Sequence, residues 1–319
     1  MATPNPPMQT AIKPFNDAVI ADAATRIVAG ECVAVPTETV YGLAADAING
    51  EAVARIYAAK GRPSFNPLIV HVATLEAAKQ IATFSEAAEK LATAFWPGPV
   101  TLVLPERIDS PIASLVTAGL DTIAIRVPAH PAMQALLKAS GRPFAAPSAN
   151  ASGQISPSCA THVLKSLEGK VGLIVDAGPT SHGLESTIVA LTESSIHILR
   201  PGPVSADQIE AVADVSVSPR EETIIDAPGQ LASHYAPSKP LRLNATKAMA
   251  DEWLIGFGEI SGDATLSPSG NLVEAAAQLF ARLHEAEASD KPRIAIAPLP
   301  ATGIGAAIAD RLARAAHSN

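Results

Sequence analysis

The chain has 319 residues, of which 48% are hydrophobic and 17% are charged, and this balance excludes a disordered protein. Its formal net charge of −8 argues against a broad surface for nucleic acid or anionic membranes, which would need an excess of lysine and arginine. The length predicts two domains.

The chain begins with a proline-rich stretch, MATPNPPMQT, and we predict a disordered lead over residues 1–14. This stretch has neither the basic region nor the apolar core of a secretory signal. No apolar run approaches the ~18 residues of a membrane span. The two cysteines, Cys32 and Cys159, lie far apart without a redox or zinc spacing, so we expect reduced thiols in a cytoplasmic protein.

Helical and strand-like segments alternate over residues 15–208. The first helix is predicted in NDAVIADAATRIVAGE, with Asn16 or Asp17 as its cap and Gly30 near its end. Short β-branched apolar runs predict buried strands in CVAVP, PLIVHVA, VTLVLP, TIAIRVP, GLIVDAG, STIVALT and IHILRP. The alternation predicts an α/β domain with a mixed or largely parallel sheet.

Residues 209–238 are rich in turn formers and poor in apolar repeats, which predicts a linker. Residues 239–319 again alternate, with strands in LRLN, WLIGFG and RIAIAPL and helices in NLVEAAAQLFARLHEAEA and IGAAIADRLARAA. They predict a second, smaller α/β unit. Its GIGAAI stretch imitates a dinucleotide fingerprint, but Ile308 replaces the third small residue, so we interpret it as helix packing.

The stretch KGRPSFNPLIVH, residues 60–71, joins a helix to a strand in an unusual way. Gly61 is a natural left-handed helix end. Arg62 and Asn66 each precede a proline, which holds their backbone extended. Lys60 is either a solvated cation at the helix end or a ligand contact, and His71 alone is more often a core histidine.

Arginine and hydroxyl side chains occur near the ends of the predicted strands. Arg200 precedes a proline as Arg62 does, and both are interpreted as receptors for phosphate or carboxylate. Arg126 lies in an apolar strand, so it needs a carboxylate partner or a ligand. Ligands bind outside the carboxyl ends of strands in open α/β sheets, so we expect these loops to converge on one site.

Several kinds of site are absent from the sequence. There is no Walker-type phosphate loop, no zinc spacing and no nucleophile elbow around Ser148. Glu38 and Glu185 are too far apart in sequence to assign as a general acid and base. If a nucleotide binds, arginines and loop amides must hold it, with Mg²⁺ carried on its phosphates.

Seven segments together resemble the YrdC-type L-threonylcarbamoyladenylate synthases, namely PTETVYGLAADA, KGRPSFNPLIVHV, FWPGPVTLVL, AIRVPAHP, PSANASGQISPS, HGLESTIV and ILRPGPVS. PGQLASHYAPSKP and the C-terminal helix resemble the two-domain members, although the segment after Lys239 is expected to be short for them. The resemblance implies a twisted YrdC-like open sheet over residues 15–208 and a Rossmann-like α/β domain over residues 239–319.

The implied reaction condenses L-threonine, bicarbonate and ATP to threonylcarbamoyl-AMP and pyrophosphate, for N6-threonylcarbamoyladenosine in tRNA. A separate transferase would carry the group to tRNA, so no stable nucleic-acid binding and no membrane contact are expected. The resemblance implies that L-threonine is bound by Thr39, His71, Arg126, Ser148 and Ser186. It implies that ATP is bound by Lys60, Arg62, Asn66, Thr122, Asn150, Ser158, Arg200 and Tyr235. Arg62 and Lys60 are the expected catalytic residues, with no protein ligand for a metal.

Two other interpretations stay open at this point. The domain is shared with carbamoyl-adenylate-forming modules of the hydrogenase-maturation type, but their acylphosphatase-like and zinc-finger segments are not visible here. An RNA-binding ribosome-assembly factor is the third possibility, against which the net charge of −8 weighs. We also hypothesise that the linker, with His234 and Tyr235 near its end, is a lid that excludes water from the site.

Overall fold

The computed structural model describes residues 8–191, 195–217 and 235–317. Within these ranges the strands form two sheets, one of ten strands and one of four. The strands and helices of the large sheet lie N-terminal to those of the small sheet. We call the two parts the N-terminal unit and the C-terminal unit.

The N-terminal unit contains the following strands and helices: β1 Ala11–Pro14, α1 Asp17–Val28, β2 Val33–Pro36, β3 Tyr41–Asp46, α2 Gly50–Lys60, β4 Ile69–His71, α3 Leu75–Lys79, α4 Glu86–Phe95, β5 Val100–Pro105, α5 Ser114–Thr117, β6 Thr122–Arg126, α6 Pro131–Ser140, β7 Phe144–Ala145, α7 Ala160–Leu167, β8 Leu173–Asp176, β9 Thr187–Leu191, β10 Ile196–Arg200 and α8 Ala206–Ala213. The C-terminal unit contains β11 Leu241–Arg242, β12 Glu252–Gly256, β13 Ala264–Thr265, α9 Leu272–Ala288, β14 Arg293–Ile296 and α10 Ile304–Ala316.

The large sheet is mixed, as the sequence predicted. Its strand order is β1-β8-β2-β3-β7-β4-β6-β5-β9-β10. Parallel pairs such as β4 with β6 and β5 with β9 alternate with antiparallel pairs such as β5 with β6. The small sheet, in the order β11-β14-β12-β13, is parallel throughout. An α/β fold with a second, smaller α/β unit is therefore confirmed.

Local signals fixed the helix ends where the sequence placed them. The Asn16 side chain caps α1 by accepting a hydrogen bond from Val19 N at 3.0 Å. Gly61 ends α2 with φ of 61°, a left-handed conformation that glycine adopts without a Cβ clash. The next residue, Arg62, still donates its backbone N–H to Tyr57 O at 3.0 Å, and the backbone N–H of Asn66 donates to Pro63 O at 3.2 Å.

Two boundary predictions need correction. The lead over residues 1–14 is not wholly disordered, because Ala11–Pro14 forms β1 and pairs in parallel with β8. The linker does not begin at residue 209, because α8 runs through that position and Val217 still bridges to Ile196. Most of the predicted linker and lid, residues 218–234 with His234, lies outside the described residues.

Helices cover both faces of the large sheet. One core packs α1 and α6 against it through side chains such as Ile27 and Leu136, and a larger core on α2 and α4 includes Ile56 and Leu91. The core of the C-terminal unit includes Val40, Ile155 and Leu184 of the N-terminal unit. The two units therefore share a continuous apolar contact.

None of the helices in residues 8–191, 195–217 and 235–317 combines the length and the apolar character that crossing a membrane requires.

Candidate active site

One pocket lies where the ends of several strands of the large sheet meet. It is lined by Thr37, Thr39, Val40, Gly42, Arg62, Ile69, His71, Arg126, Ala146, Pro147, Ser148, Glu185, Ser186, Arg200 and Tyr235. The lining residues include every residue predicted to bind L-threonine. They also include three of those predicted to bind ATP, namely Arg62, Arg200 and Tyr235. The structure thus brings loops from distant parts of the sequence to one place, as the strand-end argument predicted.

The loop after β2 is fixed by its own threonines. The Thr37 hydroxyl oxygen accepts hydrogen bonds from Thr39 N at 3.1 Å and Val40 N at 3.2 Å. Such local bonds from a side chain to the following backbone form a tight turn. The turn leads the chain from β2 into β3 and places Thr39 on the pocket wall.

Arg126, at the end of β6, is buried and has a carboxylate partner within the protein. Its Nη2 donates to Glu38 Oε1 at 2.5 Å, its Nη1 to Thr39 Oγ1 at 2.9 Å and its Nε to Gly98 O at 3.1 Å. Burial raises the pKa of Glu38, but the charge and hydrogen bond of Arg126 outweigh it and lower the pKa overall. Of the two partners that the sequence left open for Arg126, the structure supplies the carboxylate.

His71 lies beside Arg126, since β4 and β6 pair these two residues. Burial, aided by the charge of Arg126, lowers the pKa of His71 to about 3, so its imidazole is neutral near pH 7. Its Nδ1 lies 3.3 Å from Ile69 O. If Nδ1 carries the proton, as this contact favours, Nε2 is left as a hydrogen-bond acceptor.

Arg62 and Arg200 differ from Arg126 in their partners. Arg62 donates to Asn66 O and Pro67 O, and Arg200 donates to the backbone and hydroxyl oxygens of Ser186. Among the described residues neither guanidinium has a carboxylate within ion-pair distance. Burial lowers the pKa of Arg62 to about 10 and also lowers that of Arg200.

The loop that follows Arg200 passes very close to the start of β9. A Cβ on Gly202 would lie 2.4 Å from Thr187 N and 2.8 Å from Glu185 O. Only glycine permits this approach. This close approach of the two loops brings Arg200 to Ser186, whose hydroxyl also lies 2.7 Å from that of Thr101.

Lys60 is buried and is directed at a neighbouring loop. Its Nζ donates to Ser148 O and to Asn150 O, both at 2.5 Å. Burial, followed by the charge of Arg62, lowers its pKa. Of the two interpretations of Lys60, the solvated helix-end cation is wrong. The structure places Lys60 behind the pocket wall, where it holds the Ser148–Asn150 backbone.

The remaining residues predicted to bind ATP do not line this pocket. Asn66 and Asn150 are buried close behind it, with both amide atoms of Asn66 and Oδ1 of Asn150 lacking a hydrogen-bond partner among the described residues. Ser158 is buried, with its hydroxyl 3.3 Å from His162 Nδ1. Thr122 starts β6, at the opposite end of the strand from Arg126.

Tyr235 is the first described residue after the gap at 218–234, and it lines the pocket. It is buried and has a left-handed φ of 63°, which is uncommon outside glycine. The next residue, Ala236, donates to Gly153 O at 2.8 Å. The chain thus enters the C-terminal unit along the wall of the pocket.

Two carboxylates of the site have roles that the sequence did not indicate. Glu38 follows Thr37 in the same motif that supplied Thr39, and the need of Arg126 for a carboxylate was the signal that identifies it. Glu185 accepts a hydrogen bond from Ser156 and pairs with Arg311 at 2.8 Å. No local pattern in the sequence connects Glu185 to an arginine of the last helix.

No metal-binding group of three or more histidine, cysteine, aspartate or glutamate side chains occurs in the parts of the chain that the structure describes. Glu185, which lines the pocket, and Glu38, which pairs with the lining residue Arg126, are each engaged by a buried arginine. The cysteines Cys32 and Cys159 are separate free thiols.

Comparisons with known proteins agree with this architecture. Residues 25–202 match the Sua5–YciO–YrdC family, described as telomere recombination, and residues 204–317 match the C-terminal domain of threonylcarbamoyl-AMP synthase. The threonylcarbamoyl-AMP synthase of Bacillus subtilis is 40% identical over 94% of each chain. That of Pyrococcus abyssi is 38% identical over 92% of each chain.

The crystal structure of P. abyssi Sua5 complexed with L-threonine superimposes with a TM-score of 0.86 at 36% identity, covering 97% of each chain. The similarity therefore includes the C-terminal unit, and the expectation that the segment after Lys239 is short is wrong relative to these relatives. The matched family model and the full-length relatives show that this chain belongs to the Sua5–YciO–YrdC family, in the form that carries a threonylcarbamoyl-AMP synthase C-terminal domain.

Proposed function

We propose that this protein is an L-threonylcarbamoyl-AMP synthase, which joins L-threonine, bicarbonate and ATP and releases pyrophosphate. Relatives that bear this name match it over nearly their whole length. A carbamoyl-adenylate module or an RNA-binding factor would not be expected to share both units with these relatives.

The observation that carries the proposal is the pair of buried arginines without carboxylates. A buried guanidinium that meets only neutral oxygens is incompletely compensated. Arg62 and Arg200 are both in this state at one pocket, while Arg126 and Arg311 each have a carboxylate. Two such forks facing one cavity suit the phosphates of a nucleotide.

The buried amides support the nucleotide end of the site. Both amide atoms of Asn66 and Oδ1 of Asn150 lack partners among the described residues, and buried polar atoms are rarely left so. We assign them, with Ser158, Thr122 and Tyr235, to ATP. Lys60 would act on ATP through the Ser148–Asn150 loop that it holds.

The threonine end lies around Arg126. Its guanidinium would share its donors between Glu38 and the substrate carboxylate, with Thr39, Ser148 and Ser186 supplying hydroxyls to the substrate. The neutral imidazole of His71 would accept a hydrogen bond from the threonine amine or hydroxyl through Nε2. A cationic histidine at that position would repel the ammonium group instead.

The chemistry divides into two steps. The threonine amine adds to bicarbonate-derived carbon dioxide and loses a proton, which gives a carbamate. A carbamate oxygen then attacks the α-phosphorus in line, and pyrophosphate leaves with the bonding electron pair. The lining residues offer no group suited to covalent catalysis, so positioning and charge stabilisation by Arg62 and Arg200 would provide most of the acceleration.

Mg²⁺ would enter the site on the phosphates of ATP. This fits the donor set, because the carboxylates nearest the pocket are already paired with Arg126 and Arg311. The metal would offset phosphate charge there. We further propose that the enzyme works in the cytoplasm and that a separate transferase moves the threonylcarbamoyl group to tRNA.

Pyrophosphate release from the purified full chain tests the function. We expect release only when ATP, L-threonine and bicarbonate are all present, with threonylcarbamoyl-AMP identified by mass spectrometry. Arg142→Ala is a matched control, since this arginine is half-exposed and its ion pair with Asp46 is long, at 3.7 Å. We expect the rate of this variant to lie within about twofold of wild type. Pyrophosphate release that needs no threonine or bicarbonate would disprove the assignment, as would tRNA binding without turnover.

A further inference from the structure

Arg311 belongs to the C-terminal unit but lies beside the pocket of the N-terminal unit. Its side chain is 1% exposed, and its Nε donates to Glu185 Oε2 at 2.8 Å. Its Nη1 donates to Asp310 Oδ2 at 2.7 Å. The centre of its guanidinium lies 5.1 Å from the middle of the Tyr235 ring, within the range of a cation–π contact.

The loop that precedes β9 is held by the C-terminal unit over three consecutive residues. A Cβ on Gly183 would lie 2.4 Å from Ala277 O in α9, so the two backbones touch. Leu184 is fully buried in the core of the C-terminal unit, and Glu185 pairs with Arg311. The next residue, Ser186, is the one that receives Arg200.

Glu185 has two buried arginines of different kinds in its surroundings. Arg311 pairs with it directly, whereas Arg200 lines the same pocket and donates to the adjacent residue, Ser186. A buried carboxylate without a partner is strongly unfavourable, so Glu185 released from Arg311 would turn to another cation. Arg200 is suited to this, because it lines the same pocket and already contacts the adjacent residue, Ser186.

We propose that Arg311 is a positioning residue for the nucleotide site: by neutralising Glu185 and contacting Tyr235, it keeps Arg200 available to a phosphate and makes the C-terminal unit part of the active site. The reading of Arg200 as a phosphate receptor rests on the proposed function. The ion pair between Arg311 and Glu185 does not, since it is a contact within the protein.

The test compares Arg311→Met, Glu185→Gln and the double variant. Arg311→Met removes the partner of Glu185, and we expect it to weaken ATP binding by about tenfold or more, measured by calorimetric titration of the full chain. The double variant removes the competing carboxylate as well, and we expect its affinity to return to within about threefold of wild type. A general loss of packing would not be rescued by a second substitution.

Two further variants keep the result interpretable. Arg282→Met removes an arginine of α9 that pairs with Glu285 on the same helix, and its ATP affinity should match wild type. If Arg311→Met does not fold, Arg311→Lys replaces it, with a smaller loss of affinity that Glu185→Gln again restores. An unchanged ATP affinity in the Arg311 variants, or a double variant no better than the single one, overturns the proposal. Titration with ATP alone also separates it from the proposed function, which depends on threonine and bicarbonate.

Discussion

The substitution Glu38→Gln tests the buried pair at the threonine end of the site. The side chains of Arg126 and Glu38 are 4% and 8% exposed, and their closest atoms are 2.5 Å apart. Glutamine keeps the shape and an acceptor oxygen but removes the negative charge, so the guanidinium is left with neutral acceptors only, among them the Thr39 hydroxyl and Gly98 O. Removing one partner of a buried ion pair costs about 3–5 kcal/mol. At about 2–4 °C per kcal/mol, we expect the thermal midpoint to fall by about 6–20 °C.

L-Threonine should reverse part of this loss. In the variant, Arg126 has no carboxylate in the free protein, and the carboxylate of the substrate would supply one. We therefore expect saturating L-threonine to raise the midpoint of Glu38→Gln by more than that of wild type, measured by circular dichroism. An equal shift in both proteins would show that Arg126 does not receive the threonine carboxylate. A midpoint that does not fall at all would show that Glu38 does not stabilise Arg126.

Glu252→Gln is the matched control for this experiment. Glu252 is a buried carboxylate that pairs with Arg242 at 2.6 Å in the C-terminal sheet. Its loss should also lower the midpoint, because that pair is broken. Its response to L-threonine should equal that of wild type, since this pair does not contact the pocket.

Three further predictions concern the other buried groups of the site. Arg62→Ala should lower kcat/KM by about 10²-fold or more, by analogy with the loss of one preorganised donor, and a near wild-type rate would refute its role. Lys60→Met should destabilise the chain in urea by about 2 kcal/mol, because Ser148 O and Asn150 O lose the donor that they share; unchanged stability with abolished turnover would instead indicate direct contact with substrate. With its pKa lowered to about 3, His71 stays unprotonated in the folded state while the unfolded chain takes up a proton below about pH 6.5. Its stabilisation is therefore complete above pH 6.5 and lost as the pH falls towards 3. Between pH 6.5 and 4.5 the free energy of unfolding of His71→Asn should therefore fall by about 2–3 kcal/mol less than that of wild type. An unaltered pH profile of the free energy of unfolding would contradict this.

The parts of the site that the sequence predicted are those with strong local chemistry. The prolines after Arg62 and Asn66, the glycine at position 61 and the arginine within TIAIRVP each restrict the backbone or require a partner on their own. The convergence of the loops followed from the strand pattern alone. The fold class could be predicted for the same reason, because β-branched apolar runs and helical periods are local signals.

The parts that were missed depend on long-range pairing. Glu38 and Arg126 are 88 residues apart, and they meet only because β3, β7, β4 and β6 are adjacent in the sheet. The strand β1 is short and half-exposed, and it forms because β8 offers an edge for it. Arg311 resembles a solvated residue of an amphipathic helix, and its burial is decided by the contact between the two units. Such contacts have no signature within a window of neighbouring residues.

The site gathers buried positive groups that destabilise the free protein, although the chain as a whole is negatively charged. The chain carries a net −8, yet Lys60, Arg62 and Arg200 are buried near one another, and burial lowers the pKa of all three. Bringing these groups together without an anion is unfavourable for the free protein. The N-terminal unit compensates with large apolar cores on both faces of the sheet. A bound triphosphate would remove the repulsion between Arg62 and Arg200, so part of the free energy of nucleotide binding would come from relieving a cost that folding has already incurred. The same arrangement explains why Glu185 must be kept paired with Arg311: an internal carboxylate that neutralised Arg200 would stabilise the free protein and weaken its hold on the nucleotide.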